Sequence, residues 1–405
     1  MSEGTRTLFV PGRIELFGKH VDYGGGPSLT CAVGAGITAE YEPLDKPVLE
    51  VEDLQTGRRA RLPLRRDARA GGAHGGTYVS AVARRMARDF APLKVGLRVR
   101  TSSDLPRSSG LSSSSAFVVM LAAAVADVNR LAERRAWKDH LADPLAFAEY
   151  CAAIEGGGPW GPFAGDVGVG TRGGAQDHIA IVCNQADAVG AYRYLPAGVV
   201  GRAQFPAHWS LIVGVSGVRA TKTGGARDDY NRASDTVRHL LALWNAGTGR
   251  LDQSLGSALH SSPDASERLT ALARNASDAP WFLARIEQFR AETERIVPEA
   301  LRAFASADGA WLGRLAVESQ QRAETALRNQ IPETSFLARS AMAAGAHAAS
   351  AFGAGFGGAV WAAVDTARAE EVREAWKRSY AATFPGRATK ADWLVLRPGA
   401  GVVLP

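Results

Sequence analysis

The chain has 405 residues, 46% apolar and 22% charged, enough to bury a sizeable core and to make two domains the natural expectation. Its net charge of +6 is spread over an arginine-rich chain with only seven lysines, which does not by itself point to a polyanion partner. No apolar run approaches the roughly 18–20 residues of a membrane span, nothing at the amino terminus suggests secretion, and three cysteines without C-x-x-C spacing argue against a disulfide framework or zinc site. A cytoplasmic protein is expected.

Along the chain, residues 8–55 alternate short apolar runs with Gly and Pro and predict strands and turns. The run GRRARLPLRRDARA at 57–70 carries six arginines without interleaved aromatics, so it reads as a solvated face rather than a nucleic-acid contact. Residues 92–106 alternate as a strand, and 113–131 are almost continuously apolar, as in a buried helix. A further helix is predicted over 143–155, ended by the glycines at 156–158. A second unit begins near HWSLIVGVSGV at 208–218; helices follow at 227–247, 281–306 and 310–329, and strand signals return at the end. Strands and helices mix without strict alternation, which predicts an α+β fold, divided into domains at 1–205 and 206–405.

Three glycine-containing loops carry the chemistry. The first, PGRIELFGKHVDYGGG at 11–26, suggests a P-loop, but five residues separate Gly12 from Gly18 and His20 follows Lys19, so the spacing is wrong. The second, LPRSSGLSSSSA at 105–116, runs straight into the apolar helix, where backbone N–H groups and hydroxyls form an anion site; helix capping alone is the other reading. The third, FGAGFGGAV at 352–360, spells G-x-G-x-x-G, as do Gly168, Gly170 and Gly173. Neither follows a strand and opens a helix, so dinucleotide binding is rejected.

In this order the three loops resemble the small-molecule kinase superfamily of galactokinase, homoserine kinase, mevalonate kinase and phosphomevalonate kinase, the GHMP kinases. Within it GRIELFGKHVDYGGGPSL resembles the galactokinase signature G-R-x-N-x-I-G-E-H-x-D-Y, and the ending VLRPGAGV is similar to galactokinase carboxyl termini. The likeness runs from about residue 10 to residue 402. It implies a ribosomal-protein-like amino-terminal domain, a ferredoxin-like carboxyl-terminal domain, ATP and Mg2+ as cofactors, and a small sugar as substrate. A monomer or weak homodimer without nucleic-acid or membrane partners is expected. It further implies phosphorylation of the anomeric hydroxyl of galactose or a related monosaccharide.

Residue by residue, the resemblance implies Arg13 beside the reacting hydroxyl and Asp177 as catalytic base. The substrate set is Glu15, Lys19, His20, Asp22 and Tyr230. ATP falls to Ser108, Ser109, Gly110, Leu111, Ser112, Ser113, Ser114 and Ser115, with Gly355 and Gly357 from the third loop. The metal falls to Ser114, with Ser113 as its alternate, and to Glu155, which reads equally as a solvated helix end. Departures stand out: Glu15 replaces Asn, Lys19 replaces Glu, and Ser350 replaces a basic residue. Lys19 either pairs with Glu15, leaving a neutral substrate, or meets an anionic group such as a uronate carboxylate or phosphate. The segment 156–176 is longer than in ordinary galactokinases and predicts a loop, with Trp160, over the acceptor site. Two other functions stay open: a kinase for a uronic acid, amino sugar or cyclitol, and a non-catalytic sugar and ATP sensor.

Overall fold

The computed structural model describes residues 4–69, 75–106, 109–170, 173–219 and 225–404. Its first half contains β1 (Arg6–Phe17), β2 (Ser28–Leu44), β3 (Val48–Asp53), β4 (Arg59–Pro63), α1 (Gly75–Asp89), β5 (Gly96–Ser103), α2 (Ser113–Val128), α3 (Arg135–His140), α4 (Pro144–Gly156), α5 (Gln176–Cys183), β6 (Ala188–Arg193) and β7 (Gly198–Gln204). The order continues with β8 (Trp209–Val215), α6 (Gly225–Thr248), α7 (Leu255–Leu259), α8 (Ala265–Arg274), α9 (Ala279–Arg290), α10 (Val297–Ala305), α11 (Gly309–Arg322) and α12 (Pro332–Ala343). It closes with β9 (Ala348–Phe352), β10 (Ala359–Asp365), α13 (Ala369–Thr383), α14 (Pro385–Ala388), β11 (Asp392–Leu396) and β12 (Pro398–Gly399).

The first sheet has the order β4-β3-β5-β2-β6-β7, with β1 and β12 also paired to β2. The long strand β2 is its axis: it pairs with β1 along most of its length, with β5 at one end and with β6 at the other. α2 packs against β1 and β2 and is apolar on nearly every side, which explains its unbroken hydrophobic run. Burying its larger side chains at about 1.5–3 kcal/mol each anchors the helix, and with it the serine loop at its amino end. Asp143 starts α4 by accepting from Leu145 N at 2.9 Å, and Gly157 ends it at φ 80°.

The arginine run forms part of the β3–β4 edge. Arg59 pairs with Glu52, Arg61 with Glu50 and Arg65 with Asp67, so these positive charges have carboxylate partners.

The second sheet has the order β11-β8-β10-β9, all antiparallel. Numbered within this half, that order is 4-1-3-2, the ferredoxin-like arrangement, with the helices α6–α12 inserted after its first strand. The expected division at residue 205 leaves 398–399 in the second half, yet their pairing with Ala32 and Val33 of β2 puts them in the first sheet. Helices α6–α9 build a separate apolar cluster that takes in Val21, so the loop after β1 is anchored from the carboxyl-terminal half. Between α9 and α10 the helix widens into a π turn at Ala291–Ile296. No helix among the described residues is long and apolar enough to cross a membrane.

The segment 156–176 departs from its expected place. Trp160 packs on Tyr150 and stacks with Phe163, while Arg88 donates to Gly165 O at 2.8 Å and Arg84 pairs with Asp166. That portion is fastened to α1 and α4 because its aromatic residues bury on them; among the described residues of the segment, those that reach Asp22 lie at its end, Gly174 and Gln176.

Candidate active site

β1 shifts register against β2 on both sides of Arg13–Glu15, between Pro11 and Arg13 and between Glu15 and Phe17. Such irregularities re-aim side chains. The buried Arg13 side chain grips Asp177, with Nε 2.8 Å and Nη2 2.6 Å from Oδ1. Its Nη1 donates to Gly110 O, and its backbone N donates to Leu111 O at 3.1 Å. Asp177 lies in the first turn of α5, where the helix dipole favours an anion. Its Oδ2 accepts from Ser112 Oγ. Ser112 reaches it from a left-handed backbone (φ 59°, ψ 44°), a conformation non-glycine residues pay roughly 1–2 kcal/mol to adopt.

The acceptor signature folds around the same carboxylate. Asp22 is buried; its Oδ2 faces Gln176 N at 3.4 Å, and burial with the nearby Asp177 charge pushes its pKa up to about 6. Gln176 also donates from Nε2 to Glu15 Oε2 at 2.7 Å, so one residue holds both acids in place next to Asp177. Glu15 Oε1 is buried, and among the described residues it has no hydrogen-bond partner. Burial pushes the Glu15 pKa up to about 8 against the opposing pull of Arg13 and Lys19. Near neutrality Glu15 is therefore an uncharged acid, one donor plus acceptors, a fair replacement for the amide of the signature's Asn. His20, at φ 58°, places Nδ1 3.0 Å from Tyr23 Oη and Nε2 3.2 Å from Ala354 O, tying the first loop to the third.

Among the described residues, Lys19 hydrogen-bonds to groups other than Glu15. Its ammonium is buried against Ser319 Oγ at 2.7 Å and Ser350 Oγ at 2.8 Å. Ser319 donates in turn to Glu292 Oε1 at 2.5 Å. Burial pushes the Lys19 pKa down, and Glu292 is the main charge opposing that, ahead of Glu15. Lys19 and Ser350, both read above as departures from the family pattern, thus touch each other.

The serine loop enters α2 with Ser109 buried and Gly110 at φ 77°. Ser113 opens the helix, and Ser114 hydrogen-bonds Tyr78. Ser115 Oγ donates to Glu155 Oε2 at 3.0 Å, and His178 Nε2 lies 3.0 Å from the same oxygen. Glu155 is thus buried beside α2 rather than solvated. Ser108 lies outside the described residues, as does the side chain of Tyr230. In the third loop Gly355 and Gly357 have φ 81° and 131°, and a Cβ on Gly355 would come within 2.3 Å of Asn329 O. A Cβ on Gly353 would lie 3.5 Å from Gly110 O, so the second and third loops meet over Arg13.

The GHMP kinases N-terminal domain matches residues 77–185, the GHMP kinases C-terminal family matches 300–382, and the galactokinase galactose-binding signature matches 2–43. The chain belongs to the GHMP kinases. Galactokinases from Chloroflexus aggregans and Pyrococcus furiosus are 26% and 25% identical to it, each over 98% of the chain and over 93% and 98% of their own lengths. Against the galactokinase of Actinobacillus pleuropneumoniae serotype 5b the match is 29% over 116 residues and spans only 30% of that protein. The fold of this GHMP kinase superposes on Lactococcus lactis galactokinase complexed with galactose with a TM-score of 0.80 at 20% identity, covering 100% of this chain and 96% of the other. L. major mevalonate kinase in complex with R-mevalonate gives a TM-score of 0.61 at 17% identity, covering 99% of this chain and 100% of the other.

Sequence reasoning brought the right loops together but missed Gln176, Ser112 as a partner of Asp177, His178, and the buried set Arg285, Gln288 and Glu292. Gln176 stood next to a residue already singled out; the helical residues carry no local signal.

Proposed function

We propose that this GHMP kinase is an ATP-dependent sugar kinase of galactokinase type that phosphorylates the anomeric hydroxyl of galactose or a close monosaccharide relative. The observation that carries this reading is the Arg13–Asp177 pair at the junction of the three loops. Asp177 Oδ2, now holding the Ser112 hydroxyl, is the oxygen that takes the acceptor proton. Arg13 supplies fixed positive charge for the hydroxyl oxygen and the transferring phosphoryl group. The positive end of α2 and the N–H groups of 109–115 receive the ATP phosphates, with Gly355 and Gly357 closing the far side. Asp22, His20 and Tyr230 hold sugar hydroxyls, and neutral Glu15 with Gln176 keeps Asp22 and Asp177 in register.

Ser115 Oγ donates to the Glu155 carboxylate, and Ser114 and Glu155 both bear on Tyr78, so hydroxyl and carboxylate oxygens of the kind that suits Mg2+ gather at the start of α2. Ser114 and Glu155 would hold the ion, which neutralises phosphate charge when bound. On this reading the division of labour follows the domains at 1–205 and 206–405, and the enzyme works in the cytoplasm as a monomer or weak homodimer. Lys19 turned into the protein favours a neutral acceptor.

An ADP-release screen across neutral, acidic and amino sugars tests this. Galactose or a neutral relative as best acceptor supports it. A preference for a uronic acid redirects the acceptor assignment, and sugar binding without ADP from any acceptor leaves a regulator.

A further inference from the structure

Arg285, Gln288 and Glu292 are three fully buried polar residues, spaced three and four apart on one face of α9 and the turn that continues it. They meet three consecutive residues of the acceptor loop. Gly18 N donates to Glu292 Oε2 at 2.9 Å, Gln288 Nε2 donates to Lys19 O at 3.0 Å, and Arg285 Nη2 donates to His20 O. Within the set, Arg285 Nη1 donates to Gln288 Oε1. Arg285 also lies over the Tyr23 ring, whose hydroxyl contacts His20 Nδ1.

Nothing in packing requires this. Two charged groups with no exposure are costly to bury, and apolar residues of similar volume would fill the same space at lower cost. The backbone they grip is in an unfavourable conformation: Gly18 and His20 both have positive φ, at 88° and 58°. The helix also departs from α geometry at Ala291–Ile296, where Glu292 sits, and such π turns recur at functional positions.

We propose that Arg285, Gln288 and Glu292 act as a positioning clamp: they set the backbone of residues 18–20 so that His20 and Asp22 face the acceptor while Lys19 is drawn into the protein through Glu292 and Ser319. The clamp makes acceptor affinity a property of the carboxyl-terminal half, and it rests on residues 18–22 being the acceptor loop. None of the three is a catalytic residue; each acts through the loop backbone.

The test uses the full chain with Gln288→Met, which removes the donor to Lys19 O with little change of volume, and Glu292→Gln, which removes the charge but keeps an acceptor for Gly18 N. Hydrogen exchange over 17–24 and separate KM values for galactose and ATP are measured. Gln288→Met is expected to raise the galactose KM at least tenfold, to leave the ATP KM within twofold, and to speed exchange at 17–24. Equal shifts in both KM values, or unchanged exchange at 17–24, overturn the clamp. Glu292→Gln is expected to shift the galactose KM in the same direction without loss of Gly18 protection, and an unchanged galactose KM counts against the charge. If the wild-type chain does not turn over galactose, the functional reading fails, and exchange at 17–24 in Gln288→Met alone decides the clamp.

Discussion

Ser112 holds the oxygen of Asp177 that Arg13 leaves available: Arg13 occupies Oδ1 from two nitrogens, and the serine hydroxyl donates to Oδ2. A hydroxyl on Oδ2 of a carboxylate with an arginine behind it is the geometry a general base needs for an acceptor hydroxyl. Asp177→Asn keeps the shape and removes the base, so turnover is expected to fall roughly 10²–10⁴-fold with ATP binding intact. Ser112→Ala empties the position without touching the base, and its turnover is expected to stay within about tenfold of wild type. Steady-state turnover and ATP titration on both variants check this; an Asp177→Asn enzyme of near-normal rate overturns the assignment.

Glu15 gives a pH dependence whose sign follows from its environment. Its ordinary value is 4.5, and burial pushes it up to about 8 in the fold. Between those values the folded protein keeps a proton that the unfolded chain has lost, so this group's contribution to stability falls as pH rises from about 5 to about 8 and is flat above. Glu15→Gln keeps the shape and never ionises. Its stability relative to wild type is expected to rise by roughly 1 kcal/mol per pH unit across that window. Urea midpoints of the two proteins at several pH values measure the difference, and a pH-independent difference shows that Glu15 is already ionised in the fold.

Gly355 cannot carry a side chain where it stands. Its φ of 81° is unfavourable to any other residue, and a Cβ would meet Asn329 O at 2.3 Å. Gly355→Ala must move the third loop, whose Ala354 carbonyl faces His20. A loss of about 1–3 kcal/mol in stability is expected, together with weaker sugar binding. Thermal melts and the sugar KM read the two effects; an unchanged KM separates the loop from the acceptor.

The three loops that meet at Arg13 were legible because each is a local pattern: glycines at turns, hydroxyls at a helix start, Arg13 and Asp22 on one short signature. The buried helix α2 was legible for the same reason, as an unbroken apolar run. The helix predicted at 281–306 came out in three pieces, α9, a π turn and α10, because widening to i→i+5 bonds over six residues shifts the side-chain pattern without breaking the helical run. The partners of Lys19 were illegible. Ser319 and Ser350 lie some three hundred positions away, and a serine on a helix or strand says nothing about the amine it will meet. Trp160 misled for a related reason: a large aromatic in a glycine-rich loop suggests a lid, but its apolar surface buries on Tyr150 and Phe163.

Lys19 and Glu292 are joined through Ser319, whose hydroxyl accepts from the ammonium and donates to the carboxylate. Removing one charge leaves the other buried without its compensation, whereas removing both leaves a neutral, hydrogen-bonded site. Lys19→Met and Glu292→Gln are therefore each expected to destabilise the protein more than their combination does on an additive basis, with a coupling of about 1–3 kcal/mol. Urea unfolding of the two single variants and the double variant measures it. The same variants decide what residue 19 does for the acceptor. With its ammonium held by Ser319 and Ser350, the double variant is expected to keep the wild-type order of preference among neutral and acidic sugars. A wild-type preference for an acidic sugar that disappears in Lys19→Met, with no coupling to Glu292, places the ammonium against the substrate and overturns the buried pairing as its role.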